Sequence, residues 1–299
     1  MTLPARIHLT EVGPRDGLQN EPENISASTK IDFINRLSES GLSEIEATAC
    51  VSPKWVPQLA DAVEVLKGIR RREGVVYSAL VPNLEGWQRA SDAGVDKISV
   101  FTAASETFSQ KNTNGSIDET INRFVPVVSS AHDAGCPVRA YVSCITVCPY
   151  EGRTQPSQVA SVVRSLLDIG IDEIDLGDTV GAATPADMDS ILSEVGQLLP
   201  VQSLVMHLHD TRGMAAASCL RAMQLGVHRF DASCGGLGGC PYAPGASGNM
   251  ATGDLLYLCE GLGIETGVDR SIIVDAGRII ESAIGRPLSG RLYRTESSL

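Results

Sequence analysis

The sequence predicts an α/β fold, a (β/α)8 TIM barrel with an additional C-terminal helix. The first observation is size, because 299 residues suit one large barrel or two ordinary domains. The second is that strand and helix patterns alternate along the whole chain, which is typical of a parallel sheet covered by helices. We expect one domain over 1–299, with the barrel at about 5–265 and a helical extension at about 266–299.

The third observation is a glycine-led turn that recurs between a helical pattern and an apolar strand. Its four clearest copies begin at Gly41, Gly94, Gly170 and Gly226. Glycine suits the left-handed position after a helix, where a side chain would clash. Each copy therefore predicts where a helix ends and the next strand starts.

Eight strands are predicted on this basis. They begin near Ile7, Glu44, Val75, Lys97, Val138, Glu173, Leu204 and Arg229. Amphipathic helix patterns lie between them at Thr29–Ser40, Gln58–Arg71, Leu84–Ala93, Ile117–Ala134, Gln158–Ile169, Pro185–Leu199 and Met214–Leu225. An eighth helix is expected at Asn249–Leu262 and the additional one at Ser271–Ile284. The alternative is an open doubly wound sheet, but its Gly-x-Gly-x-x-Gly dinucleotide fingerprint is absent after the first strand.

Composition excludes several classes of function. The net charge of −12 disfavours generic nucleic-acid binding. No apolar run approaches the roughly 20 residues of a membrane span. The first residues, Met1–Arg6, lack the apolar core of a signal peptide. We therefore expect a cytoplasmic protein without membrane or nucleic-acid partners, and we expect its eight cysteines to be mostly reduced thiols.

His207 and His209 are the strongest candidates for metal ligands. They end the apolar run Ser203–Met206, which is typical of a buried strand. Side chains alternate along a strand, so both imidazoles are expected on one side, with Met206 and Leu208 on the other. Two histidines at this spacing are half of a divalent-metal site.

The other strand ends supply the rest of a site, because barrel active sites lie at the carboxyl ends of strands. Arg15 and Asp16 follow the first strand, and a glycine-rich loop after the eighth contains Cys240 and reaches Asn249. Asp16, His207, His209 and Asn249 would give nitrogen and oxygen ligands suited to Mg²⁺ or Mn²⁺. Arg15 is placed to stabilise an enolate oxygen.

Several motifs resemble the hydroxymethylglutaryl-CoA lyase family. They are Gly13–Glu21, Val51–Pro57, Tyr141–Cys144, Cys148–Gly152, His207–Thr211 and the Cys240 loop, Gly236–Tyr242. The likeness runs from about Ile7 to about Gly267. It implies cleavage of 3-hydroxy-3-methylglutaryl-CoA, or a close 3-hydroxy-3-alkyl acyl-CoA, to acetyl-CoA and a 3-oxo acid such as acetoacetate. It also implies a divalent cation, an acyl-CoA substrate and a homodimer.

The resemblance carries roles onto particular residues. It makes Cys240 the general acid/base and lets His207 serve as both ligand and proton-transfer group. Glu46 and Asp178, at the ends of the second and sixth strands, become polar supports near Arg15 and the substrate hydroxyl. An unperturbed thiol has a pKa of about 8.5, so Cys240 would need a nearby cation or loop amides to act as a base.

Two departures leave the acyl group of the substrate open. Ala47–Cys50 replaces the family's usual Thr-Thr-Ser-Phe, and Arg212 stands where tyrosine is common. One alternative is an enzyme that condenses acetyl-CoA with a 2-oxo acid. A second is a lysine Schiff-base aldolase. We disfavour it because the only lysine in the predicted strands, Lys97, lies at the start of its strand and therefore at the end of the barrel away from the mouth. A third is a catalytically inactive barrel that binds acyl-CoA.

Overall fold

The chain closes a ring of eight parallel strands. The computed structural model describes residues 3–239 and 248–297, so Cys240 lies outside the described residues. The barrel strands are β1 His8–Glu11, β2 Glu44–Ala49, β3 Val76–Leu80, β4 Lys97–Ala103, β5 Val138–Ser143, β8 Glu173–Asp178, β9 Leu204–Leu208 and β10 Arg229–Ala232. They pair in the order β1-β10-β9-β8-β5-β4-β3-β2. The predicted barrel is confirmed, and the open sheet is wrong because β1 pairs with both β2 and β10.

Two short strands, β6 Val147–Cys148 and β7 Gly152–Arg153, form an antiparallel hairpin beyond the end of β5. The helices are α1 Ala27–Ser38, α2 Ala62–Gly68, α3 Leu84–Asp92, α4 Glu106–Thr113, α5 Ile117–Asp133, α6 Pro156–Asp168, α7 Pro185–Val195, α8 Ala215–Gln224, α9 Thr252–Leu262, α10 Arg270–Ile284 and α11 Arg291–Glu296. Within the described ranges, none of these helices is long and apolar enough to cross a bilayer.

The helices differ from prediction in a few places. The second is shorter than Gln58–Arg71, because Pro57–Leu59 forms a separate 3-10 turn before α2. The eighth starts at Thr252, since Asn249 pairs as an isolated bridge with His209. The unpredicted α4 buries only Phe108 and Ser109, so it shows little apolar periodicity.

The glycine-led turns have the predicted conformation. Gly41, Gly94, Gly170 and Gly226 have φ values of 89°, 77°, 89° and 101°. Other residues rarely adopt this left-handed region, which explains why glycine occupies these positions. These turns bring each returning strand to the amino end of the barrel, and every active-site loop therefore leaves from the opposite end.

The main hydrophobic core lies between the strands and the helices. Met206 and Leu208 of β9 are fully buried in it, together with side chains of the surrounding helices. The residues that alternate with them face the barrel axis, and many are charged. Glu44, Lys97 and Glu173 start β2, β4 and β8 and meet at the amino end, which we call the floor of the barrel.

Residues 285–291, which run from the end of α10 to the first residue of α11, form a segment that we call the C-terminal strap. Leu288 is buried against Gly235, where an added Cβ would collide with the leucine. The Gly290 amide donates to the Gly235 carbonyl at 2.7 Å, and the Ser289 hydroxyl donates to the Gly236 carbonyl at 2.9 Å. The strap therefore supports the backbone that follows β10.

The same strap reaches two other loops at the carboxyl ends of the strands. Arg286 donates to both carboxylate oxygens of Glu21, each at 2.6 Å, in the loop after β1. Arg291 donates to Asp210 at 2.5 Å, just after β9. The helical extension thus contacts the parts of the chain that carry the predicted site.

Candidate active site

The two histidines converge at the mouth of the barrel. His207 lies on β9 and His209 follows its end. Their Nε2 atoms are 3.2 Å apart. This confirms that both imidazoles lie on one side of the strand, as the alternation of side chains predicts. Two nitrogen atoms so close can share one proton or bind one cation.

Asp16 joins the pair from the loop after β1. The segment Gly13–Gly17 forms a π-helical turn with Pro14 near its start. The Val12 carbonyl accepts from the amides of Arg15, Asp16 and Gly17 at 3.1, 2.8 and 3.1 Å. This turn places Asp16 Oδ2 3.8 Å from His207 Nε2. Asp16, His207 and His209 each offer a ligand atom, and all three atoms lie within 4.8 Å of one another.

Asn249 also lies in the site, where it contacts Asp16. Its amide nitrogen donates to Asp16 Oδ2 at 2.9 Å and to the Leu237 carbonyl at 3.2 Å. A metal would take the amide oxygen instead. The structure therefore brings all four predicted ligand residues together and gives Asn249 a bond to the carboxylate, while its role as a ligand stays a prediction.

The charges around Asp16 keep it ionised. Burial opposes ionisation, but Arg15, His207 and His209 hold the pKa of Asp16 well below its usual range. Burial also opposes protonation of His207, yet the bond to Asp231 and the charge of Asp16 raise its pKa. Burial and the neighbouring His207 lower the pKa of His209 to about 4. The Nε2 atom of His207 thus faces an anionic carboxylate, Asp16, and a neutral imidazole, His209.

Arg15 is held between two carboxylates. Its Nε donates to Glu46 in a short contact, and its Nη1 donates to Asp16 at 2.5 Å. Glu46 also accepts from the Tyr141 hydroxyl at 3.1 Å, and the guanidinium lies 5.1 Å from the Tyr141 ring centre. Glu46 thus lies beside Arg15, and its supporting role in the site stays a prediction.

Asp178, at the end of β8, supports its own loop. Its Oδ1 accepts from the Thr146 hydroxyl at 2.6 Å and from the Ala182 amide at 3.1 Å, and its Oδ2 accepts from the Ala183 amide at 2.7 Å. Burial raises its pKa despite these bonds. Asp178 thus ties the loops after β5 and β8 together, and its place beside a substrate hydroxyl stays a prediction.

Glu11 is a carboxylate beneath the site that the sequence analysis missed. It accepts from the amides of Gly13 at 2.8 Å and Cys234 at 2.7 Å, and from the Thr252 hydroxyl at 2.7 Å. Full burial raises its pKa to about 7, against these three bonds. Glu11 joins the loops after β1 and β10 to the start of α9.

Asp231, on β10, was also missed. Its Oδ2 lies 3.1 Å from His207 Nδ1, and its Oδ1 accepts from Arg139 at 3.0 Å. The signal was present, because a charged residue alternates with buried Phe230 in a short strand. Its partner could not be read from the sequence, since His207 lies on a neighbouring strand.

Lys97 is far from this chemistry, on the floor. It contacts Glu44 at 3.0 Å and Glu173 at 2.7 Å, where β2, β4 and β8 begin. These contacts confirm its predicted place at the end opposite the mouth. A Schiff-base lysine there could not reach a substrate bound near Arg15.

The fold and the site first define the class of protein: a barrel enzyme whose mouth brings together three side chains that could hold a metal ion, beside a buried arginine. The profile of the HMGL-like family matches residues 6–280. Since this match spans most of the chain, the chain belongs to that family, and it is a lyase.

Relatives and solved structures agree. The chain is 50% identical over 298 residues to the mitochondrial hydroxymethylglutaryl-CoA lyase of Homo sapiens, covering 100% of this chain and 92% of that protein. It is 51% identical over 290 residues to the cytoplasmic 3-hydroxy-3-methylglutaryl-CoA lyase of Danio rerio, covering 97% and 87%.

Two solved structures show the same likeness. Hydroxymethylglutaryl-CoA lyase from Pseudomonas aeruginosa superposes with a TM-score of 0.97 at 47% identity, covering 100% of this chain and 99% of that one. An HMG-CoA lyase from Acinetobacter baumannii, in complex with coenzyme A and 3-methylmalate, gives a TM-score of 0.92 at 38% identity, covering 98% and 96%.

Proposed function

We propose that the chain cleaves 3-hydroxy-3-methylglutaryl-CoA, or a close 3-hydroxy-3-alkyl acyl-CoA, to acetyl-CoA and a 3-oxo acid such as acetoacetate. The observation that carries this proposal is the convergence of Asp16, His207 and His209 beside Arg15 at the barrel mouth. The identity to named lyases supports the substrate, and so does the relative in complex with coenzyme A and 3-methylmalate.

The donors fit a divalent cation. One carboxylate and two imidazoles without a thiolate suit Mg²⁺ or Mn²⁺, and they leave coordination positions for substrate oxygens. We propose Asp16, His207, His209 and Asn249 as the residues that hold it. When bound, the cation supplies a Lewis acid for the oxygens of the substrate.

Arg15 has the task of stabilising the product anion. Cleavage breaks the C2–C3 bond, and the electron pair passes to the thioester as an enolate. Two carboxylates hold the guanidinium, so it is oriented before the charge develops. Preorganised donors of this kind stabilise the transition state more than the substrate.

Two proton transfers complete the reaction. The C3 hydroxyl loses a proton as the bond breaks, and the enolate carbon gains one. We assign these transfers to Cys240 and His207, as the family resemblance implies. Asp178 and Glu46 keep their proposed supporting roles near the hydroxyl and Arg15.

We also propose a setting for the protein. The net charge of −12 supports the absence of nucleic-acid partners. The cytoplasmic relative supports a cytoplasmic location, although mitochondrial relatives exist. A homodimer, a single domain over 1–299 and the absence of membrane partners complete the proposal.

The test is release of acetyl-CoA from 3-hydroxy-3-methylglutaryl-CoA with Mg²⁺ or Mn²⁺. We expect release to stop with a chelator and in Cys240→Ala. Cys136→Ala, which removes a buried thiol beneath the barrel, is the matched control and should stay active. Release that survives both treatments contradicts the mechanism. Free thiol formed from acetyl-CoA with a 2-oxo acid would instead identify a condensing enzyme, and no turnover of any acyl-CoA would indicate an inactive barrel.

A further inference from the structure

Asp231 connects the floor of the barrel to His207. It is 2% exposed, and each of its carboxylate oxygens has a polar contact. Arg139 donates to Oδ1 at 3.0 Å. The Tyr141 hydroxyl lies 3.3 Å from Oδ2 and shares its single proton between this oxygen and Glu46. The same Oδ2 lies 3.1 Å from His207 Nδ1. The bond from Arg139 thus orients the carboxylate, and its Oδ2 faces the imidazole.

Arg139 is itself immobile. It is 1% exposed and donates to the Thr10 hydroxyl at 2.9 Å. Its Nε donates to Glu173 in a short contact, and its Nη2 lies 3.3 Å from Glu44. A guanidinium with partners on β1, β2 and β8 cannot turn away from Asp231.

The contact matters because an imidazole has two different nitrogen atoms. A carboxylate only accepts hydrogen bonds, so the proton of a neutral His207 must lie on Nδ1. The lone pair is then on Nε2, which faces His209 and Asp16. A metal ligand needs that arrangement, and a carboxylate behind the histidine is a common way to fix it.

A second metal site does not explain the same atoms. Asp175, His207 and Asp231 also lie within metal-binding distance of one another. However, Arg139 already supplies a positive charge to both carboxylates, at 3.0 Å from Asp231 and 3.4 Å from Asp175. A cation placed there would be repelled by the guanidinium, so these carboxylates serve Arg139 and His207.

We propose that Asp231 is a positioning residue that fixes the Nδ1–H tautomer of His207, with Arg139 as its brace. The inference rests on the proposed role of His207 as a metal ligand. The inference predicts that Asp231 influences the affinity of the protein for a divalent cation, although Asp231 does not itself contact the cation.

The first experiment measures Mn²⁺ binding to the metal-free protein by calorimetry and electron paramagnetic resonance. Asp231→Asn should bind Mn²⁺ about 10–100-fold more weakly than wild type, because its amide can donate to Nδ1 and favour the wrong tautomer. Asp175→Asn is the matched control. Asp175 is equally buried and interacts with both Arg139 and Asp231, but among the described residues it is Asp231 that has the bond to His207 Nδ1. The Mn²⁺ affinity of Asp175→Asn should therefore stay near wild type.

The outcomes separate the two claims. If wild type does not bind Mn²⁺, the metal site in the proposed function is wrong. If wild type binds and Asp231→Asn binds equally well, the inference alone is overturned. Equal weakening in both variants also overturns it, because the effect would then follow the loss of any buried carboxylate near Arg139.

The second experiment does not depend on whether Asp231→Asn folds. Nitrogen-15 spectra of histidine-labelled wild type report which ring nitrogen carries a proton, and His207→Gln identifies the signal. We expect a protonated Nδ1 both without metal and with Mg²⁺, and an unprotonated Nε2 with Mg²⁺. An unprotonated Nδ1 in either state overturns the proposal.

Discussion

The floor and the mouth of the barrel both hold clustered ionisable side chains, but the two clusters are arranged differently. On the floor, Lys97 lies between Glu44 and Glu173, so each charge has an opposite charge at 2.7–3.0 Å. At the mouth, the His207 and His209 nitrogens face each other at 3.2 Å, with Asp16 beside them. On the floor, the positive and negative side chains neutralise one another. At the mouth, the side chains offer ligand atoms that lie close enough together to bind one metal ion.

The contrast teaches which buried charges signal chemistry. Burial alone does not, since both ends are buried and polar. Removing one member of a buried ion pair is costly to the fold, because its partner is left as an uncompensated buried charge. We therefore expect floor substitutions to act on stability and mouth substitutions to act on catalysis.

The largest expected effect is on the floor. Lys97→Met would leave Glu44 and Glu173 with less compensating charge, and we expect it to lower the free energy of unfolding by about 3–5 kcal/mol. Urea unfolding measures this, with exposed Lys67→Met on α2 as the control. Turnover per folded molecule should be unchanged. A folded but inactive Lys97→Met would contradict the expectation that substitutions on the floor affect stability and not catalysis.

The next effect is at the mouth. Arg15→Lys keeps the charge but not the planar fork that spans Glu46 and Asp16. We expect kcat to fall about 10²–10³-fold, the usual effect of losing one oxyanion donor. Steady-state kinetics at saturating cation measures it, with Arg71→Met, at an ion pair with Asp96, as the control. A kcat near wild type would remove Arg15 from the proposed chemistry.

A third prediction asks which end of the barrel responds to an ion. Mn²⁺ at about 100 times its dissociation constant should raise the free energy of unfolding by about 2.7 kcal/mol. His209→Ala removes a mouth donor and should abolish the gain, while Lys67→Met should keep it. Thermal unfolding with and without Mn²⁺ measures both. An unchanged gain in His209→Ala would place the ion elsewhere.

The last prediction concerns Glu11 and the dependence of stability on pH. Its pKa is raised to about 7 by burial, so the folded state holds its proton more tightly than the unfolded state does. Stability from this group is full below about pH 4.5 and is lost as pH rises to about 7, by at most about 1.4 kcal/mol for each pH unit. Glu11→Gln should flatten this part of the profile in denaturant titrations. An equal slope in both proteins would show that another group titrates.

Much of the fold could be predicted because local signals determine it. Gly41 and Gly170 mark helix ends by their own backbone conformation, and each following strand begins where expected. Helix α4 could not be predicted, since its amphipathic pattern is weak and only Phe108 anchors it. The ends of short polar helices depend on contacts that are distant in sequence.

The residues of the site also fall into those that local sequence signals predict and those that depend on distant contacts. His207 and His209 were predictable because strand alternation alone puts them together. Asp231 and Glu11 were not, because their partners lie on other strands or loops. The bond from Asn249 to Asp16 likewise depends on how two distant loops meet.

The C-terminal strap has a consequence for how the protein is made. The ribosome releases β10 and Gly235 long before it releases Leu288 and Gly290, which hold that backbone in place. A nascent chain can therefore close its barrel while the loops at the mouth still lack their support. Premature stops within residues 285–291 would remove the contacts that the strap makes with Glu21, Asp210 and Gly235, so the loops at the mouth should lose support before the ring of strands does.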